Sequence, residues 1–271
     1  MGAVDHLMPP VIMRPSVSRV TISISTDCPR DRYLPSAPLC LPPSAPLGCL
    51  TTLPPRNFSP PHPPPARQRH TPVVKLLLIY SHPHPNSFCH ALLERVLAGV
   101  AVNGHDVDLL DLYSEGFDPV LRESEWLDYL NDPGKTVRGA MAGHVARIER
   151  AEGLIFVFPT WFFGLPAMLK GWLDRAWLPG VAFDIPEGGG VARTRLRRIR
   201  LLAAVTTTAL PWYALQVLGY PGQRMIKRCI RVGTAFRCRQ LWLALHSIEN
   251  SSLEQRQRFL AKVERRFAEI Q

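Results

Sequence analysis

From Val73 to Tyr80 the chain reads VVKLLLIY, apolar at nearly every position over the length of one strand. A strand with one wet face alternates apolar and polar residues, so an unbroken run predicts a strand covered on both faces. The period then changes. Leu92, Leu93, Val96, Leu97 and Val100 recur at helical spacing between Phe88 and Val102, and Asn103-Gly104 supplies the stop. HDVDLLDLY predicts a second strand, Leu121 to Leu130 and Val137 to Ala151 two helices, and Leu154 to Phe158 a third strand. A helix is predicted over Pro166 to Trp177, and RRIRLLAAVTT gives strand four. Trp212 to Val232 reads as helical with a break at Gly219-Tyr220-Pro221-Gly222, RQLWLALH as strand five, and Ser252 to Ile270 as a charged amphipathic helix.

Strands that alternate with helices, and are themselves almost wholly apolar, predict an α/β domain with a parallel sheet wrapped by helices on both faces. With right-handed crossovers, five strands fit the doubly wound, flavodoxin-like order 2-1-3-4-5. Ligands of such sheets bind beyond the carboxyl ends of the strands, at the switch point beside strands one and three. The two oddest loops of this sequence fall at those ends.

Composition changes the picture chiefly at the N-terminus, because more than half of the 27 prolines precede Thr71, in runs such as LPPSAPLG and SPPHPPPARQRH. Proline withholds an amide donor and fixes φ, and the few periodic apolar residues there cannot offset the entropy of ordering the segment. Residues 1–70 are therefore expected to be a disordered proline-rich tail, and residues 71–271 one folded domain. The tail's seven Arg and three Asp precede no signal-like apolar run, and proline this dense suits no transit helix. Polyproline ligands for an SH3-like partner are a further reading of the tail. The six cysteines form no CxxC pair, so neither a zinc site nor a disulfide framework is signalled. No apolar run reaches the roughly 18 residues of a membrane span, and a cytoplasmic location is the default expectation.

The formal charge is +10, and its distribution is uneven: no acidic residue occurs between Glu187 and Glu249, where eleven Arg and Lys lie. Such a face attracts phosphates, nucleic acid or an anionic membrane surface. No RNP, helix-turn-helix or zinc motif accompanies it, so nucleic acid is not the expected partner. Trp212, Tyr213, Leu215, Leu218 and Tyr220 precede Arg224, Lys227, Arg228 and Arg231, a combination able to settle peripherally on an anionic bilayer. The plainer reading, that the aromatics cover an active site or dimer interface while the cations face water or an NADPH phosphate, is preferred.

The first odd loop is SHPHPNSFCHALL, Ser81 to Leu93. Asn86 or Ser87 can cap the helix that follows, whose first free amides favour an anion. A phosphate belongs there, on amides of Ser87, Phe88 and Cys89 rather than on a glycine-rich loop, since neither GxGxxG nor GxxxxGK[ST] is present. The plain alternative is a simple helix cap with His82 packed against it. His82 and His84 also offer a metal-pair reading, but each precedes a proline and no downstream ligand cluster follows, so no metal is expected. The second odd loop is FPTWFFGLPAMLKGWLDRAW, where Trp161, Phe162 and Phe163 stand between Pro159 and Gly164 at a strand end. Any one of these aromatics would more often be core, but an anion at one strand end and an aromatic wall at the next describe a ligand with a charged tail and a planar head. That description suits a flavin, with amides of Thr160 to Phe163 against the ring edge and Gly164 allowing close approach. Pro166 suits the first helical position.

HPHPNSF with its helix, and FPTWFFGLPAMLKGWLDRAW almost residue for residue, resemble the NAD(P)H:quinone oxidoreductases of the DT-diaphorase type. The resemblance covers roughly Val73 to Ile270. It implies a flavodoxin-like fold, FAD or in some relatives FMN, a homodimer with its active site at the interface, and ping-pong hydride transfer from NAD(P)H to a quinone. Carried over by position, it makes His82, Ser87, Phe88, Pro159, Thr160, Trp161, Phe162, Phe163 and Gly164 flavin-contacting, with Asn86 in the same loop. Relatives end strand four with Thr-Thr-Gly-Gly and place a Tyr and a His beyond it. Here VTTTALPWYALQVLGYPG keeps Thr206 and Thr207 as cofactor-binding candidates but replaces the glycines by Thr208-Ala209, and no His lies between Leu210 and Leu245. Tyr213, one residue out of register, is the candidate catalytic residue. The alternative function is a non-catalytic flavin-binding regulatory subunit, for instance of a membrane transporter, or an electron carrier.

Overall fold

The computed structural model describes residues 73–131, 139–184, 186 and 190–270. The proline-rich segment and every reading made of it lie outside the described residues. Seven strands are described: β1 (Lys75–Tyr80), β2 (Asp106–Asp111), β3 (Gly153–Pro159), β4 (Phe183–Asp184), β5 (Arg193–Thr194), β6 (Leu201–Thr207) and β7 (Arg239–Leu245). Between them run α1 (Phe88–Ala101), α2 (Glu123–Asn131), α3 (Ala142–Arg150), α4 (Ala167–Ala176), α5 (Trp212–Val217), α6 (Pro221–Arg224), a π-helix (Met225–Ile230) and α7 (Leu253–Ala268). The five long strands form one parallel sheet in the order β2-β1-β3-β6-β7. Counted among the sheet strands alone, this is the expected 2-1-3-4-5.

The near-continuous apolar strands have the physical cause inferred from their sequence, since successive side chains feed opposite layers. Leu76, Leu78, Tyr80, Ile155, Val157, Ala203 and Val205 face α1 and α7, where Leu92, Val96, Phe259, Val263 and Phe267 are buried. Leu77, Ile79, Leu154, Phe156, Phe158, Leu202 and Ala204 face the other layer, with Ile148, Leu169, Trp172, Ile226 and Ile230. Helices α1 and α7 cross so closely that a Cβ on Gly99 would lie 2.6 Å from the Glu264 carbonyl oxygen. Ser252 caps α7 in a full capping box with Gln255, which fixes where that layer begins.

Several boundaries differ from expectation. Pro166 is the cap of α4, with ψ 149°, rather than its first helical residue. The β4–β5 hairpin was not anticipated, because strands of two residues carry no readable period. Within the described residues the helix expected over Val137 to Ala151 is Ala142–Arg150. For the site, the decisive feature is that parallel pairing sets Tyr80 beside Val157, Pro159 beside Thr207, and Thr207 beside Leu245. The segments leaving β1, β3, β6 and β7 therefore emerge along one edge of the sheet.

Candidate functional site

In the loop after β1, Ser87 rather than Asn86 is the cap: its Oγ accepts from the His90 amide at 3.1 Å, and Asn86 is exposed. The Ser87 amide donates to the His84 carbonyl at 3.3 Å, so of the three amides expected to face an anion those of Phe88 and Cys89 remain candidates. The His84 amide donates to Nδ1 of His82 at 3.0 Å, which holds that ring over the loop as an acceptor at this nitrogen. Burial, the largest influence, pushes His82 below its usual pKa. Its ring centroid lies 6.1 Å from that of Trp161, so the two odd loops meet. Beneath them Ser81 is fully buried, and its hydroxyl has no partner among the described residues.

The aromatic loop is a tight reversal closed by the Gly164 amide on the Trp161 carbonyl at 3.0 Å. Phe162 and Phe163 occupy its centre at φ 43° and 64°. Turns of this hand normally use Asn and Gly, and each L-residue held there costs about 1–2 kcal/mol. Phe162 nevertheless leaves 94% of its surface exposed, and Trp161 leaves 43%. A strained turn that displays aromatics to solvent is poor folding chemistry and useful binding chemistry. Thr160 does not supply an amide as expected, because that group donates to the Thr207 carbonyl at 2.7 Å and extends the sheet. Its hydroxyl lies 2.9 Å from that of Thr206, which is buried with Pro159 and Thr207 behind the turn. The close approach at Gly164 is to Gly222, where an added Cβ would stand 3.5 Å from the Gly164 carbonyl carbon.

Beyond β6, Thr208 takes over the place of the expected glycine with an ordinary backbone: its amide bonds the Leu245 carbonyl and its hydroxyl accepts from the Leu210 amide. Tyr213 projects from α5, 61% exposed, and touches Trp212 edge-on without a described hydrogen-bond partner. A different tyrosine is organised for chemistry. Helix α5 ends with the Gly219 amide on the Gln216 carbonyl and the Tyr220 amide on the Leu215 carbonyl, a Schellman closure with Gly219 left-handed at φ 76°. The closure turns Tyr220 inward, itself left-handed at φ 53°, until its hydroxyl stands 2.8 Å from Nε2 of His246. Burial pushes the Tyr220 phenol up and the His246 imidazole down, so both are neutral near neutral pH. Trp242 packs edge-on against the Tyr220 ring. Neither residue is a catalytic candidate from sequence, where Tyr220 is named only in the helix break and among the aromatics ahead of the Arg224–Arg231 cations; the available signals were a lone His directly after an apolar strand and a Tyr between Gly219 and Pro221.

A family model for the flavodoxin-like fold matches residues 74–230, more than half of the chain. The chain belongs to the flavodoxin-like fold family. It is 29% identical over 126 residues to ribosyldihydronicotinamide dehydrogenase (quinone) of Rattus norvegicus, covering 41% of this chain and 54% of that protein. It is 32% identical over 123 residues to NAD(P)H dehydrogenase (quinone) 1 of Cavia porcellus, covering 40% of this chain and 45% of the relative. The chain thus spans about half the length of these curated relatives. Among solved structures, Smu.1420 from Streptococcus mutans UA159 is 30% identical, with a TM-score of 0.64 over 72% of this chain and 100% of that one. A flavin, which the family resemblance implies, suits the residues present: amides at the α1 start for an anion, an exposed aromatic turn beside them, and the unpartnered Ser81 hydroxyl beneath. Among the described residues no cluster of His, Cys, Asp and Glu could hold a metal ion, and no helix is long and apolar enough to cross a membrane.

Proposed function

We propose that this protein is a flavin-dependent NAD(P)H:quinone oxidoreductase. The observation that carries the reading is the contact between the two loops: His82 meets Trp161, setting the α1 amides beside a strained and exposed aromatic turn. The curated relatives whose names specify NAD(P)H and quinone support it. In this reading Phe88 and Cys89 hold a cofactor phosphate, while Trp161, Phe162 and Phe163 offer ring faces and amides to the planar head. The cofactor is FAD, with FMN the alternative that its identification decides. When bound, it supplies ping-pong hydride transfer from NAD(P)H to a quinone. Hydride delivery to a quinone leaves an oxygen that needs a proton. We assign the donor to the Tyr220 hydroxyl, which the neutral His246 ring orients at Nε2; the phenolate left behind regains its proton from solvent, either directly or as His246 takes up a solvent proton at Nδ1 while passing on the one at Nε2. Tyr213 is left as an exposed aromatic of α5. Together with Trp212, 61% exposed, and Phe162, it offers apolar surface for the homodimer interface we infer.

Purified protein is expected to be yellow, to release FAD on heating, to be bleached by NADH or NADPH in stopped flow, and to reduce a benzoquinone. Tyr220→Phe should lower quinone turnover by about 10²-fold while the reduction by NAD(P)H stays near its original rate. Colourless protein that binds neither added FAD nor added FMN would overturn the flavoenzyme. Equal quinone turnover in Tyr220→Phe would remove the proton donor alone.

A further inference from the structure

Beside Tyr220 lies a cavity of about 390 Å³, lined by Tyr220, Arg224, Lys227, Arg228, Arg231 and Gln240 among others, and by no carboxylate. Four cations converge on it. No acidic residue occurs between Glu187 and Glu249, and among the described residues none of Arg224, Lys227 and Arg228 pairs with a carboxylate. Like charges gathered without counterions repel one another and weaken the fold, so their arrangement calls for an anion. Three features of the backbone hold them in place. Lys227 and Arg228 stand on the π-helix Met225–Ile230, a wide turn that is rare and recurs at functional sites. The Arg224 guanidinium folds over Gly219, where a Cβ would meet it at 2.8 Å, so the left-handed glycine leaves room for the cation as well as turning the chain. The Lys227 carbonyl accepts from Gln240 Nε2 at 3.3 Å, tying the π-helix to β7.

The cavity also shares Tyr220 with the candidate site. Tyr220 lines it while its hydroxyl sits on His246, and Gly222, two residues on, backs Gly164 of the aromatic turn. From these observations we propose that the cavity is a phosphate-monoester site that takes the 2′-phosphate of NADPH, making NADPH the preferred reductant. This assignment rests on the NAD(P)H reading above. A monoester carries close to two negative charges and three acceptor oxygens, which suits guanidinium forks from Arg224 and Arg228 with Lys227 as a point charge. NADH lacks that group and leaves the cations unanswered. A phosphate on an anionic lipid offers similar chemistry, and the test separates the two sources.

The full chain is titrated calorimetrically with adenosine 2′,5′-bisphosphate and with adenosine 5′-monophosphate, which differ only in the 2′-phosphate, and in parallel is sedimented with vesicles containing phosphatidylserine. The bisphosphate is expected to bind about ten- to a hundredfold tighter. In Arg224→Gln/Lys227→Gln/Arg228→Gln the difference should vanish, and Lys227→Gln alone should reduce it if the triple variant does not fold. Equal affinity for the two nucleotides overturns the site, as does a preference that survives the substitutions. Vesicle binding that these substitutions abolish, without nucleotide discrimination, reassigns the cations to lipid and overturns it too. Flavin absorbance of the same samples keeps the two readings apart: yellow protein without discrimination refutes the phosphate site alone, and colourless protein that discriminates refutes the flavin reading alone.

Discussion

Phe162 shows how far one residue departs from what folding alone would select. Its left-handed backbone costs about 1–2 kcal/mol, while its 94% exposed ring recovers almost nothing by burial. Glycine would remove that strain at about 0.5–1 kcal/mol in added freedom of the unfolded chain. Phe162→Gly is therefore expected to stabilise the protein by roughly 0.5–1 kcal/mol in urea titration while weakening flavin binding. A variant that is less stable, or equally good at holding flavin, would show that the ring serves the fold. The presence of the aromatic turn was legible in three successive aromatics between Pro159 and Gly164. Its strain was not, because residue identity predicts glycine or asparagine at such angles. Tyr220 and His246 were illegible for another reason: 26 residues separate them, and only the Schellman turn at Gly219 aims one at the other.

Elements were easier to read than residues wherever an apolar stripe was continuous, as in β1, β3 and β6, each buried along nearly its whole length. Helix α2 is different, since its outer face keeps Trp126 and Leu127 nearly half exposed and its hold on the domain is partly ionic. Arg175 of α4 lies 2.5 Å from Glu125 of α2, with side-chain exposures of 10% and 17%. The same guanidinium donates to the Asp118 carbonyl and stands 5.1 Å from the centre of the Phe117 ring. No periodicity announces such a pair. Breaking a buried pair leaves one charge unanswered, so Arg175→Met should cost about 3 kcal/mol by urea denaturation. Adding Glu125→Leu should recover most of that loss, because the uncompensated carboxylate goes with it. Additive losses in the double variant would mean that the Asp118 and Phe117 contacts, not the ion pair, fasten α2.

At the scale of the whole molecule, burial of neutral imidazoles couples the fold to acid. His82, beside the aromatic turn, His144, against Phe117, and His246, beneath Tyr220, all have pKa values lowered first by burial, with Glu115 opposing the effect at His144. An unfolded chain protonates these rings near their ordinary value of 6.5, whereas the folded chain resists until the pH is lower. Between those two points the unfolded state binds more protons, so stability rises with pH there. Their full contribution is present above 6.5 and is lost as pH falls through the window down to the lowered folded values. Each imidazole adds a slope of at most about 1.4 kcal/mol per pH unit. Urea midpoints measured across the window should fall on acidification, and His246→Gln should flatten the curve by the share of one proton. If that substitution leaves the slope unchanged, His246 is solvated in the native state, and the neutral Tyr220–His246 pair assigned as the proton donor does not exist.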